Sequence, residues 1–338
     1  MGAWAKSVAF ALFVGLFLVA PASAQTADPR SPYTEADIDR VEARSVENVR
    51  GVLHDNLIAA LPRGERVALS DVRLEAPRRT NPWRPFAVWS DSRERTIVFP
   101  METIRFIDDI ITVMVALNKA GCDIRWVGTY AGMLTRRDPP DGGRYPNPIE
   151  AFGLDRAALL ADPTIDMFSG LQLKTAVAFV LGHELGHVAL AHRVIGDADA
   201  SRRREREADA YALRIHRLLG APPLGAAPMF TMMGHTYLGS GDYPSVAAFE
   251  ASFAETGTHP LDGERLRAIG DAIADDAVLY ARNEPDPARA QGDMVDLANN
   301  FRTLGRLLDD PDIRLLQADT ARSTHWDELK SVCPALAQ

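Results

Sequence analysis

The apolar pattern is densest, outside the N-terminus, between Leu171 and Ala191, where Ala176 to Leu181 are all apolar and Val188 to Ala191 continue the run. A helix that is apolar on every side is a buried helix, so this stretch is predicted to run through the core. A second helix is predicted over Met101–Lys119, with Ile104, Ile107, Ile111, Met114 and Val115 on its core side. Thr34 to Leu61 reads as helical, capped by Thr34 and ended by Pro62. Two short β-rich runs, Phe86–Ser90 and Thr96–Phe99, are joined by polar residues and give a hairpin signal. Glu205 to Leu219 has helical periodicity with Ser201 as the expected N-cap. After Pro287 the tail is helical by pattern, with Leu297, Phe301, Leu304, Leu307 and Leu308 on one side. Thr135 to Pro148, rich in Pro, Gly and Arg, is expected as a surface loop, either a lid or solvated filler. Met229 to Met233 lines either a pocket or the core. The fold class is therefore α+β, mainly helical, with a small sheet or hairpin beside the long apolar helix.

That helix carries polar residues where a buried helix should have none. His183, Glu184 and His187 form His-Glu-Leu-Gly-His. Positions i and i+4 lie about 40° apart on one helix face, so the two imidazoles can grip one zinc ion, and the glutamate between them can take a proton from water. Buried His and Glu side chains are costly without partners, and a metal with its water supplies partners for all three. The plainer reading is a buried helix with two satisfied histidines. Gly182 and Gly186 each cost about 1 kcal/mol against alanine inside a helix, which suggests that something approaches this helix closely.

A catalytic zinc usually has three protein ligands. A third histidine ten residues after His183 would fall on Arg193. His192 is one residue short and, on a continuous helix, points about 180° from His183. It reads as a helix C-terminal residue. Downstream, Glu205 and Asp209 share a helix face. Glu205 is the expected third ligand, and Asp209 is placed to hydrogen-bond a ligand histidine. Glu207 and Arg202–Arg204 read as a solvated charged face. His216 lies about 16 Å from Glu205 along the helix and is too far to share the ion.

The pairing of His183-Glu184-Leu185-Gly186-His187 with Glu205-Arg206-Glu207-Ala208-Asp209 resembles the gluzincin metallopeptidases of the CAAX prenyl protease and heat-shock membrane protease type, whose pattern is HExxH followed by ExxAD. Thr258-His259-Pro260, with Arg265 six residues after the histidine, adds a further likeness, and the resemblance spans roughly residues 86 to 269. It implies a zincin-like domain holding one Zn2+ through His183, His187 and Glu205, with Glu184 as general base and Asp209 supporting a ligand histidine. Zinc would lower the pKa of its water toward about 7. His259, Tyr211 and Arg265 are candidate donors to the developing oxyanion, His259 first by the resemblance; its other reading is a turn residue before proline. In zincins a strand near the active-site helix binds extended substrate, a role expected here for Thr96–Phe99 unless the hairpin is only structural.

Residues 1–24 read as a signal peptide: Lys6, an apolar core from Val8 to Ala20, then Ala22-Ser23-Ala24 before Gln25. That core is short for a membrane span, so a soluble exported protein is expected, in a bacterial periplasm or secreted, with an uncleaved anchor as the alternative. The further divisions expected are a helical region at 25–85, a metallopeptidase domain at 86–285 and a helical tail at 286–338. Basic residues number 37 against 46 acidic ones. With no basic tract beyond Arg202–Arg206, nucleic acid is not an expected partner; a protein or peptide substrate is. Cys122 and Cys333 either pair, as an oxidising compartment permits, or stay as free buried thiols. These features point to a zinc endopeptidase. A non-catalytic chaperone-like protein of the same fold and a zinc amidase acting on cell-wall peptide share the motifs, and the intact Glu184 favours an enzyme.

Overall fold

A computed structural model of the chain describes residues 28–193, 197–257 and 261–336. The proposed signal peptide and the Thr258-His259-Pro260 segment lie outside these residues. The architecture is mainly helical with one three-stranded sheet, as the pattern predicts.

The long apolar helix runs from Pro163 to Ala189, starting earlier than the apolar run because Asp162 caps it by accepting from the Thr164 and Ile165 amides and Pro163 stands at its first position. Among the described residues it is the one helix long and apolar enough to cross a membrane, but more than half of its most apolar window is buried in the fold. It packs against the Met101–Lys119 helix on one side and the helix Ala198–Leu219 on another. The latter begins at Asp197, which accepts from the Ala200 amide, and not at Ser201, which is helical. It ends at Gly220 with φ 63°, the left-handed conformation that glycine adopts at least cost.

Gly182 and Gly186 are where these two helices approach. A Cβ on Gly182 would meet Ala212 Cα at 3.3 Å, and one on Gly186 would meet Tyr211 Cβ at 3.0 Å and Ala208 Cα at 3.1 Å. The missing side chains bring the Glu205 side of one helix onto the histidine side of the other.

Strands β1 (Arg73–Glu75), β2 (Trp89–Asp91) and β3 (Thr96–Val98) form a sheet of order β1-β3-β2, β1 parallel and β2 antiparallel to β3. The hairpin is present, though its first strand is shorter and later than Phe86–Ser90. The expected substrate strand needs correction: β3 is central, with both its edges paired, so the sheet edge beside the long helix belongs to β2.

Thr34 forms a capping box with Asp37. The helix expected over Thr34–Leu61 is split into Glu35–Arg44, Val46–Gly51 and a π-helical turn at Val52–Ile58. Thr135 and Arg136 end a helix, Arg125–Arg136, and the loop after them is tied down: Arg144 donates to Glu150 and to the Pro32 carbonyl, and the Trp326 indole donates to the Asp138 carbonyl. Met229 and Met232 are core residues of a helix over Ala226–Thr236. In the tail, helices Pro287–Asp309 and Pro311–Ser323 bury Phe301, Leu308, Ala318 and Ala321. Cys122 and Cys333 are disulfide-bonded, joining the tail to the end of the Met101–Lys119 helix. One hydrophobic cluster takes residues from the N-terminal helices, the body and the tail alike.

Candidate metal centre

The two helices bring His183, His187 and Glu205 together. His183 Nε2 lies 3.1 Å from His187 Nε2 and 3.3 Å from Glu205 Oε2, and His187 Nε2 lies 3.5 Å from Glu205 Oε1. Among the described residues these three form a group able to hold a metal ion. Bonds of about 2.0–2.1 Å to a tetrahedral zinc would place neighbouring ligand atoms about 3.3–3.4 Å apart, and the observed separations bracket that value.

The chemistry of the donors agrees with the spacing. His183 Nδ1 lies 2.9 Å from Asp209 Oδ1. An ionised carboxylate only accepts, so the imidazole keeps its proton on Nδ1 and turns a lone pair at Nε2 toward the Glu205 carboxylate. Two acceptors then face each other across 3.3 Å, an arrangement that calls for a positive charge between them. Burial by itself lowers the His183 pKa, but hydrogen bonds and charge from Asp209 and Glu205 outweigh it and raise the value to about 10. In metal-free protein a proton meets that demand; a divalent cation bound there would meet it too, displacing the proton.

Asp209 is itself held. Burial would raise its pKa, but Arg265 and His183 bring it down to about 2. Arg265 donates from Nε to Oδ2 at 2.8 Å and from Nη2 to Oδ1 at 2.7 Å, and its guanidinium lies 4.2 Å over the Phe230 ring. The sequence offered Arg265 as an oxyanion donor; these two hydrogen bonds instead commit it to orienting Asp209. Tyr211 is corrected likewise: its hydroxyl donates to Glu65 Oε2, beside Arg214. His216 is buried elsewhere, with Nδ1 on the Ala221 carbonyl. His259 lies outside the described residues.

Glu184 is 8 % exposed and accepts from Ser90 Oγ at 2.7 Å. Ser90 belongs to β2, and Ser92, in the turn that follows, donates to the His187 carbonyl at 3.0 Å. The edge strand is thereby fastened to the motif helix at two points. Nothing in the residues around Ser90 marks it; its partner is 94 positions away.

His192 overturns the expectation of a side chain turned away from the site. The helix stops at Ala189, Ala191 takes a left-handed φ of 53°, and the chain folds back. His192 Nδ1 then lies 2.9 Å from His187 Nδ1, and its Nε2 lies 2.9 Å from Glu207 Oε2. Glu207, read as part of a solvated face, is half-exposed but has this partner.

A cleft of about 290 Å3 adjoins the centre at Arg265, lined also by Tyr237, Phe249, Phe253, Leu261 and Leu308.

Residues 146–278 match the family model Peptidase U49. The matched span contains His183, Glu184, His187, Glu205, Asp209 and Arg265, and the likeness supports a peptidase; Ser90 lies before it. No curated protein and no solved structure matches the chain.

Proposed function

We propose that this chain is an exported zinc-dependent endopeptidase that cuts protein or peptide substrates in the periplasm or outside the cell. The observation that carries the reading is the convergence of His183 Nε2, His187 Nε2 and a Glu205 carboxylate at tetrahedral spacing, with Glu184 alongside. The peptidase family match supports the same class of reaction. Export is supported by the signal-like pattern of residues 1–24 and by the Cys122–Cys333 bond, which suits an oxidising compartment. The acidic balance of the chain gives no support to nucleic-acid binding.

Bound zinc would supply the positive charge that polarises a peptide carbonyl and acidifies water. His183, His187 and Glu205 would hold it, with Asp209 and Arg265 fixing the His183 ring. Glu184 would take the proton of the attacking water and deliver it to the leaving nitrogen. Ser90 engages Oε2 of that carboxylate and fixes its rotamer. β2 would receive extended substrate by strand addition at the sheet edge, within one residue of the Ser90 contact. His259 is the proposed donor to the carbonyl oxygen, by the family resemblance.

Casein hydrolysis and zinc content of the purified mature protein test the reading. Glu184→Gln should lower hydrolysis by at least about 100-fold and keep one zinc per chain. Full activity in that variant, or a wild type without zinc, would refute it.

A further inference from the structure

We propose that His192 is a positioning residue for the metal centre, accepting a hydrogen bond from the His187 ring and handing it on to Glu207. The inference rests on reading His187 as a metal ligand through Nε2.

The proton assignments follow from that ligation. A neutral imidazole that gives its Nε2 lone pair to a metal carries its proton on Nδ1. His187 Nδ1 is 2.9 Å from His192 Nδ1, so His192 must accept there. Its own proton then sits on Nε2, which faces the Glu207 carboxylate at 2.9 Å. Every donor in the series His187, His192, Glu207 meets an acceptor, with no atom asked to do both. Metal-ligating histidines usually give their second N–H to a carboxylate, a carbonyl or water; here a neutral imidazole takes that place.

The two ligand histidines are thus supported unequally. His183 gives its proton directly to Asp209, a buried carboxylate clamped by Arg265. On its Nδ1 side His187 reaches a carboxylate through His192, and that carboxylate is 59 % exposed. Glu205, Glu207 and Asp209 stand at two-residue intervals on one helix, and each serves a different part of the same centre. The geometry has a visible cost: Ala191, a residue with a Cβ, adopts the left-handed conformation that swings His192 back.

The test is zinc affinity, measured with zinc alone by competition against a chromogenic chelator, beside urea unfolding of the metal-free protein. His192→Phe keeps the bulk and removes the acceptor; it should weaken zinc about 10–100-fold. His192→Asn puts an amide oxygen near the Nδ1 position and should recover most of that loss. Glu207→Ala, at an exposed site that leaves folding intact, should weaken zinc severalfold. Unfolding midpoints of the metal-free forms should stay together. Equal zinc affinity in His192→Phe, Glu207→Ala and wild type would overturn the role of His192 while leaving the zinc reading standing. Equal weakening in the Phe and Asn variants would also overturn it, since an acceptor would then not matter. A wild type that binds no zinc would overturn both.

Discussion

Three glycines in the Pro163–Ala189 helix face three different surroundings, and replacing each by alanine separates local helix propensity from the packing that builds the centre. Alanine stabilises a helix interior by about 1 kcal/mol over glycine. At Gly170 a new Cβ meets nothing within 4 Å, so Gly170→Ala should gain most of that, raising Tm by about 2 °C for a chain of this size. At Gly182 the Cβ would sit 3.3 Å from Ala212 Cα and Cβ, tight enough to offset the gain, and Gly182→Ala should be close to neutral. At Gly186 it would sit 3.0 Å from Tyr211 Cβ, 3.1 Å from Ala208 Cα and 3.2 Å from the Ala208 carbonyl oxygen. Backbone atoms cannot rotate away, so the helices must separate by a few tenths of an ångström. Overpacking of this kind costs about 1–3 kcal/mol, and the net effect of Gly186→Ala should be a loss of about 0–2 kcal/mol. Ala208 is one turn from Glu205, so the same separation draws the Glu205 carboxylate away from both histidines. Zinc affinity should therefore fall in Gly186→Ala, change little in Gly182→Ala and stay constant in Gly170→Ala. Thermal unfolding and chelator competition read both quantities. A Gly186→Ala protein as stabilised as Gly170→Ala, with wild-type zinc affinity, would refute the packing argument.

Further outcomes follow from individual contacts. Arg265→Ala strands the buried Asp209 carboxylate; removing one partner of a buried pair costs about 3–5 kcal/mol, and both the urea midpoint and zinc affinity should drop, an unchanged midpoint counting against the clamp. Reducing the Cys122–Cys333 bond, which spans 211 positions, should destabilise the protein by about 2–5 kcal/mol, seen as a lower Tm in dithiothreitol; equal Tm values would mean that the tail is held without it. His216 is buried, and burial lowers its pKa from 6.5 to about 4, against a raising effect of its bond to Ala221. Between those values the unfolded chain binds a proton that the folded one does not, so stability present above pH 6.5 is lost as pH falls toward 4. The loss is on the order of 3 kcal/mol. His216→Phe, which keeps a ring against Phe179, should flatten that part of the stability–pH curve, and an unchanged slope would exclude His216 as its source.

What the sequence determined by itself is local. His183, Glu184 and His187 are placed on one face by helix geometry alone, and the apolar residues around them require that helix to be buried. The offset of Glu205 and Asp209 by one turn puts both on a shared face, and the two motif glycines signal a close neighbour without saying which. Tertiary structure decided everything that depends on direction across long separations. Ser90 reaches Glu184 from a strand whose own residues carry no mark of it. Arg265, a candidate donor to the oxyanion by sequence, instead clamps Asp209. The sheet edge falls to β2 because β1, a strand too short to read from its pattern, pairs with β3 on the other side. His192 shows the reason most plainly. On a continuous helix it would point away from His183, but the helix ends at Ala189, and one left-handed residue at Ala191 reverses the chain. Periodicity fixes the direction of a side chain only while the helix lasts; beyond its end, the partners that the fold supplies, here His187 and Glu207, set where it points.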